Sequence, residues 1–204
     1  MLRTACIGAV LAVSSIATAD LVIDDAAGTI LDITAAVGAG ASTAYLVIDF
    51  GYTGGDSHAF AFNFDGDASV HDAFSALAEG GFTYLFDDFG EWGLFVNNLG
   101  WSDDLGDPSN YWAHSLATPD GSGSVNWIDA ATGVDTTMLA DGLLSGWYNG
   151  FNDDYTAITP TLPVTTVPGP SVLVIMGLGL IPCRRRPMRA RASDSVRCKR
   201  PPSK

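Results

Sequence analysis

Two neighbouring runs of alternating apolar and polar residues set the frame of the chain. Leu46, Ile48 and Phe50 recur at every second position over residues 45–50, and Phe60, Phe62 and Phe64 do so over residues 58–64. A period of two places one set of side chains on one face of a strand, so each run predicts a strand with one buried face. Gly54-Gly55-Asp56 between them predicts a hairpin turn. The period then changes to that of a helix: Val70, Ala73, Phe74 and Leu77 stand at i, i+3, i+4 and i+7. Ser69 is placed to cap this helix with Asp72 answering it, and Gly80-Gly81 to stop it. Its apolar stripe is expected on the phenylalanine face of the hairpin. Further strands are predicted over residues 82–86, 93–97, 110–117, 124–128 and 143–148, separated by loops of Asp, Gly and Ser. Residues 21–23 predict a short first strand, while 24–42 are rich in Ala and Gly and weakly patterned. A hairpin, a helix and then more strands predict a strand-rich α+β fold in β-grasp order, with one helix on a mixed, mostly antiparallel sheet.

The two ends of the chain have a different grammar. Residues 1–19 read as a signal peptide: Arg3 is the positive start, residues 5–16 are largely apolar, and Ala17 and Ala19 offer small residues for cleavage before Asp20. Near the other end, Pro168-Gly169-Pro170 precedes a short hydrophobic segment over residues 171–183, followed by Arg184-Arg185-Arg186. That segment is shorter than the roughly 20 apolar residues a permanent helical anchor needs. The arginines would be held on the cytoplasmic side, leaving the preceding chain outside. Proline, short apolar run and cationic stop, in that order, resemble the sorting signal of PEP-CTERM proteins, the bacterial surface and exopolymer cargo of exosortases. Gly169 stands where that family's name has Glu. The resemblance implies signal peptidase and an exosortase-like machinery as partners and transient membrane contact through residues 171–183. The basic tail over residues 184–204 is expected on the cytoplasmic side.

Charge follows the same division. Arg3 precedes the body, the other basic residues begin at Arg184, and Asp194 is the one acidic residue in the tail. A body without Lys or Arg and rich in Asp repels nucleic acid, so no nucleic-acid partner is expected. The three cysteines, Cys6, Cys183 and Cys198, also lie outside it, which excludes a cysteine nucleophile or a Cys-based metal site there.

Within the body, Tyr45-Leu46-Val47-Ile48-Asp49-Phe50, the helix around Val70-His71-Asp72-Ala73-Phe74, Trp92-Gly93-Leu94-Phe95-Val96, Tyr111-Trp112-Ala113-His114 and Leu139-Ala140-Asp141-Gly142 follow in order. Together they resemble the secreted β-grasp domains related to the C-terminal domain of transcobalamin. That resemblance implies extracellular ligand or surface binding and carries over no ligand contact. The domain is expected over residues 44–157, after a weakly patterned segment at 20–43 and before a Pro/Thr linker at 158–170.

Few residues in the body have the spacing of a reaction centre. His58, His71 and His114 form no HxxxH or HExxH pair, and Ser115 and Ser145 lack a nucleophile elbow. No spacing selects two of the many carboxylates as a glycosidase pair. Asn63, Asp65 and Asp67 begin like a calcium loop, but Ala68 and Phe74 stand where its glycine and bidentate glutamate belong. No catalytic residue, metal site or cofactor is therefore assigned. The aromatics are more suggestive: Trp92, Trp101, Trp112, Trp127 and Trp147 all follow the helix. Tryptophan exposed beside carboxylates and amides can stack on sugar rings. Trp101, Trp112 and Trp147 are the candidates for ligand binding, Trp101 and Trp147 being expected at the surface because Gly, Ser and Asn surround them. The expectation is a non-enzymatic exported protein of the cell envelope or extracellular matrix. Its alternative is a secreted module that binds extracellular polysaccharide or a small ligand through exposed aromatics.

Overall fold

The computed structural model describes residues 20–167. Signal cleavage at Ala17 and Ala19 and the sorting motif with its hydrophobic segment and basic tail lie outside the described residues. The chain begins with β1 (Val22–Asp24), β2 (Thr29–Leu31), β3 (Ile33–Gly38), β4 (Ser42–Asp49) and β5 (Ser57–Phe64). Helix α1 (Val70–Glu79) follows, then β6 (Thr83–Asp88), β7 (Leu94–Trp101) and β8 (Asp104–Leu105). The last strands are β9 (Trp112–Ala117), β10 (Ile128–Asp129), β11 (Leu144–Asn149) and β12 (Val164–Thr166).

The main sheet runs β10-β9-β11-β4-β5-β3. The hairpin β4–β5 is antiparallel with Leu46 opposite Phe60, whereas β11 lies parallel to β4, with Leu144 opposite Tyr45. The fold is thus strand-rich α+β with a mixed sheet. Alternation gives this sheet two buried faces. Leu46, Ile48, Phe60, Phe62, Phe64 and Trp147 point to one, and there meet Val70, Ala73, Phe74 and Leu77 of α1. Tyr45, Val47, Ala59, Ala61 and Leu144 point to the other, and meet Ile23 and Leu31 of the small sheet β1-β2-β12. A third sheet, β6-β7-β8, joins the helix side through Phe82, Leu99 and the half-buried Tyr84.

Helix α1 starts in a capping box. Asp72 N–H donates to Ser69 Oγ at 3.2 Å, while Asp72 Oδ2 accepts from Ser69 N–H at 2.8 Å. Two otherwise unpaired backbone donors are thereby satisfied. The two hydrogen bonds from Ser69 also hold the Asp72 carboxyl below its ordinary pKa, more than burial raises it.

The domain is wider than residues 44–157. The segment 20–43 contributes β1, β2 and the edge strand β3, which runs parallel to β5. Residues beyond 157 are not a free linker either: Thr161 N–H donates to the buried Asp49 Oδ2 at 2.7 Å, and β12 pairs with β2. Of residues 124–128, predicted as a strand, only Ile128 is in one, paired with β9. Trp127 instead packs on the second core, over Gly146.

Aspartates brace many of the loops. Asp107 accepts from Ser109 N–H and Oγ–H, Asp120 from Ser122 N–H, and Asp154 from Thr156 N–H and Oγ1–H. The hydroxyls of Ser109, Ser122 and Thr156, together with their N–H groups, hold the three carboxyls below their ordinary pKa. In the calcium-like stretch, Asn63 Oδ1 accepts from Thr43 Oγ1 and Asp65 Oδ1 from Ala41 N–H, so these oxygens serve structural bonds.

Candidate functional site

A groove of about 920 Å3 opens between the β6–β7 hairpin, the β9–β10 end of the main sheet and the loop after β11. Three sequence features build it. The first is the hairpin tip, Phe89-Gly90-Glu91-Trp92-Gly93. Gly90 and Gly93 adopt positive φ there, and Gly93 N–H closes a single 3-10 turn onto the Gly90 carbonyl. That turn leaves the Trp92 side chain 81% exposed at the groove. The second is Tyr111, just before β9, which is 82% exposed. The third is the loop between the bridge partners Phe151 and Ala157. Asn152 N–H donates to the Thr156 carbonyl and Tyr155 N–H to the Asn152 carbonyl, and Asp154 ties back to Thr156. Tyr155 stands in this braced loop with φ of 63° and is 88% exposed. A bulky residue in the left-handed region stores strain of order 1 kcal/mol or more.

Beneath this rim lie Leu94, Val134, Trp112, His114 and Trp147, with Asp87, Asn97 and Asp129 along the walls. Trp147, expected at the surface, is only 3% exposed. Its small neighbours Ser145 and Gly146 allow close packing in the centre of a sheet, which local composition alone resembles a surface. Trp147 is nevertheless a lining residue, as is the buried Trp112. Trp101 does not reach the groove. It is half-buried, edge-on to Phe60 at 5.3 Å and stacked against Phe82. Structure therefore brings Trp112 and Trp147 together and leaves Trp101 in the core. Sequence reasoning missed Trp92, Tyr111 and Tyr155 as the exposed rings. The signal for Trp92 was its place between two glycines, and for Tyr155 its run of Asn and Asp.

His114 lies on the groove floor and hydrogen-bonds through Nε2 to Ser145 Oγ at 3.0 Å. Trp147 Nε1–H donates to the same hydroxyl, also at 3.0 Å. Desolvation by the surrounding protein pushes the His114 pKa down to about 3, so the ring is neutral over the physiological range. The hydroxyl can then accept from Trp147 and donate to His114 Nε2, an assignment that leaves the imidazole proton on Nδ1. A serine hydrogen-bonded to a histidine is the opening of a hydrolase site. Here Ser145 is fully buried and its hydroxyl is held by an indole, so the pair serves packing and orientation.

The other two histidines lie away from the groove. His58 Nε2 is 2.8 Å from Asp104 Oδ2, a pair formed despite the absence of Lys and Arg from the body. His71 Nδ1 is 2.9 Å from the Tyr84 hydroxyl. Two donors in the groove wall, Asn110 Nδ2 and Trp112 Nε1, are covered and have no hydrogen-bond partner within the protein. Among the described residues no three His, Cys, Asp or Glu side chains gather as a metal site. No protein-family model, no curated protein and no solved structure matches the chain.

Taken as chemistry, the groove offers flat apolar rings at its rim and carboxylate and amide acceptors at its walls. It offers no cation to a phosphate, sulfate or uronate.

Proposed function

We propose that the protein is a non-enzymatic module of the cell exterior that holds uncharged carbohydrate in this groove. One observation carries the proposal: Trp92, Tyr111 and Tyr155 are each more than four-fifths exposed around a single groove that contains no basic residue. Solvent exposure of large aromatics is costly, and a cluster of them marks a binding surface. Sugar rings have apolar faces that stack on such side chains and hydroxyls that carboxylates and amides accept. The acidic wall disfavours anionic ligands and leaves hydroxyl-rich neutral ones. The β-grasp reading is part of the same proposal, supported by the order β5-β4-β11-β9 with β11 parallel to β4 and by the single described helix α1 on that sheet. Export rests on residues 1–19, and sorting to the envelope or matrix on Pro168, Gly169, Pro170 and Arg184-Arg185-Arg186.

Affinity electrophoresis of the full chain through gels containing neutral glucans, mannans and galactans, with the uronate polymer alginate as contrast, tests the binding. Retardation by a neutral polymer, lost in Trp92→Ala but not in Trp101→Phe, is the expected result. Equal mobility in every gel would rule the proposal out. Intact mass of the protein recovered from its native host tests the sorting. A product running from Asp20 to near Pro170 is expected, and one retaining Arg184 onward would exclude release.

A further inference from the structure

A second, smaller depression of about 470 Å3 adjoins the groove. The two share Trp92, Phe95, Ala130, Thr132 and Gly133 as lining, so Trp92 stands between them and contributes to both. Its ring rises from a turn rather than from the sheet and is 81% exposed, more than Phe95, the other aromatic common to both depressions, at 50%. The main groove alone is at the upper end of the roughly 300–1,000 Å3 of small-molecule sites. A site made for one sugar ring would need neither that volume nor a neighbour continuous with it.

Accepting the carbohydrate reading, we infer that the ligand is an extended polysaccharide bound within its chain. It crosses Trp92, with one sugar ring stacked there and further units in the depressions on either side. The second depression is polar in the same sense as the first. Glu91 and Asp135 line it, and no lysine or arginine does, so a neutral polymer is favoured along the whole path. Asp135 has a second duty, accepting from Leu94 N–H at 3.1 Å, which fixes the loop carrying the second depression against β7. The two halves of the path are thus tied together before a ligand arrives, and preorganised subsites add their contributions without an ordering cost. Affinity should therefore rise with chain length until both depressions are filled.

Isothermal titration of the full chain with glucose, mannose and galactose oligomers one to six units long reads this directly. The longest oligomers of the bound series are expected to bind at least about tenfold more tightly than the two-unit one, the increment of about 1.4 kcal/mol that one further ring contact can supply. Ala131 lines the second depression but not the main groove and is exposed, so Ala131→Trp should block that half alone. It is expected to lower the affinity of long oligomers to that of short ones while leaving the short ones unchanged. Affinity already complete at one or two units, or insensitive to Ala131→Trp, would overturn the extended-chain inference and leave carbohydrate binding standing. Failure of every oligomer and of the neutral polymers to bind would overturn both.

Discussion

The His114 imidazole lies flat on the Trp147 indole, with ring centroids 4.0 Å apart and planes 11° apart. Desolvation of this buried ring favours its neutral form, and the folded-state pKa near 3 lies below the unfolded value of about 6.5. On acidification the unfolded chain therefore takes up the proton first. Stability is complete above about pH 6.5 and is lost as pH falls toward 3, with a slope approaching about 1.4 kcal/mol per pH unit. The carboxyls held low by hydrogen bonds add a loss of the same sign, but only near and below about pH 4. Urea unfolding between about pH 4.5 and 6.5 is expected to show the slope in the native protein and a smaller one in His114→Gln. Parallel curves for the two would contradict this account.

The capping box at Ser69 gives a second expectation. Ser69→Ala removes the acceptor for Asp72 N–H at the start of α1, whose buried face carries Phe74 and Leu77. A loss of about 1 kcal/mol is expected from the denaturation midpoint at unchanged slope, with Ser69→Thr, which keeps the hydroxyl that also donates to Asp72 Oδ2, retaining most of the stability.

Gly146 permits a close approach on the second face of the sheet. A Cβ there would lie 2.5 Å from the Trp127 ring and 2.6 Å from Pro160. Gly146→Ala is expected to destabilise by about 1–3 kcal/mol through overpacking. Adding Trp127→Leu should make the combined cost smaller than the two separate costs together, because the first clash is then relieved. Strict additivity in the cycle would show that the clash is not the cause.

Tyr155 couples strain to exposure. Asparagine tolerates the left-handed region better than tyrosine, so Tyr155→Asn is expected to raise stability by about 0.5–1 kcal/mol. The same change removes a rim ring and should weaken carbohydrate binding. A variant less stable than the native protein would show that the ring contributes packing its exposure does not suggest.

Salt should stabilise the body. Its carboxylates have no Lys or Arg to pair with, and raising ionic strength from about 0.01 to 1 M shortens the screening length from about 30 to 3 Å. The melting temperature is expected to rise over that range. A flat response would mean that the carboxylates are spaced widely enough for their repulsion to be negligible.

Much of this architecture is legible in the sequence where one face of an element is buried and its period unbroken. The β4–β5 hairpin, the capped helix and its stripe on Phe60, Phe62 and Phe64 are such cases. Strand β3 is not. Its register shifts between Ile33 and Ala35, so Ile33 packs on one core while Ala35 and Val37 pack on the other, and the alternation that would reveal the strand is interrupted. Its residues are also small, which lowers the contrast. Of the five tryptophans that follow the helix, Trp92, Trp112 and Trp147 line the groove. Local composition could not tell Trp147, at the centre of a sheet, from Trp92, on a turn, because Gly and Ser serve both close packing and solvent exposure. The groove itself is made by loops distant in sequence, and no local pattern encodes their meeting.

Strand β11 is central in space and late in the chain. It fills the gap between β4 and β9, pairing Tyr45 with Leu144 on one side and Trp112 with Asn149 on the other. As the chain leaves the ribosome, β4 and β5 can join and α1 can cover them, but β4 keeps an open inner edge until residue 149 has emerged. A nascent or truncated chain ending before residue 144 presents two unsatisfied strand edges beside a phenylalanine-rich face, a template for pairing with other copies. Completion of the main sheet therefore waits for β11, through a parallel pairing of segments distant in sequence, the kind of non-local contact that slows folding.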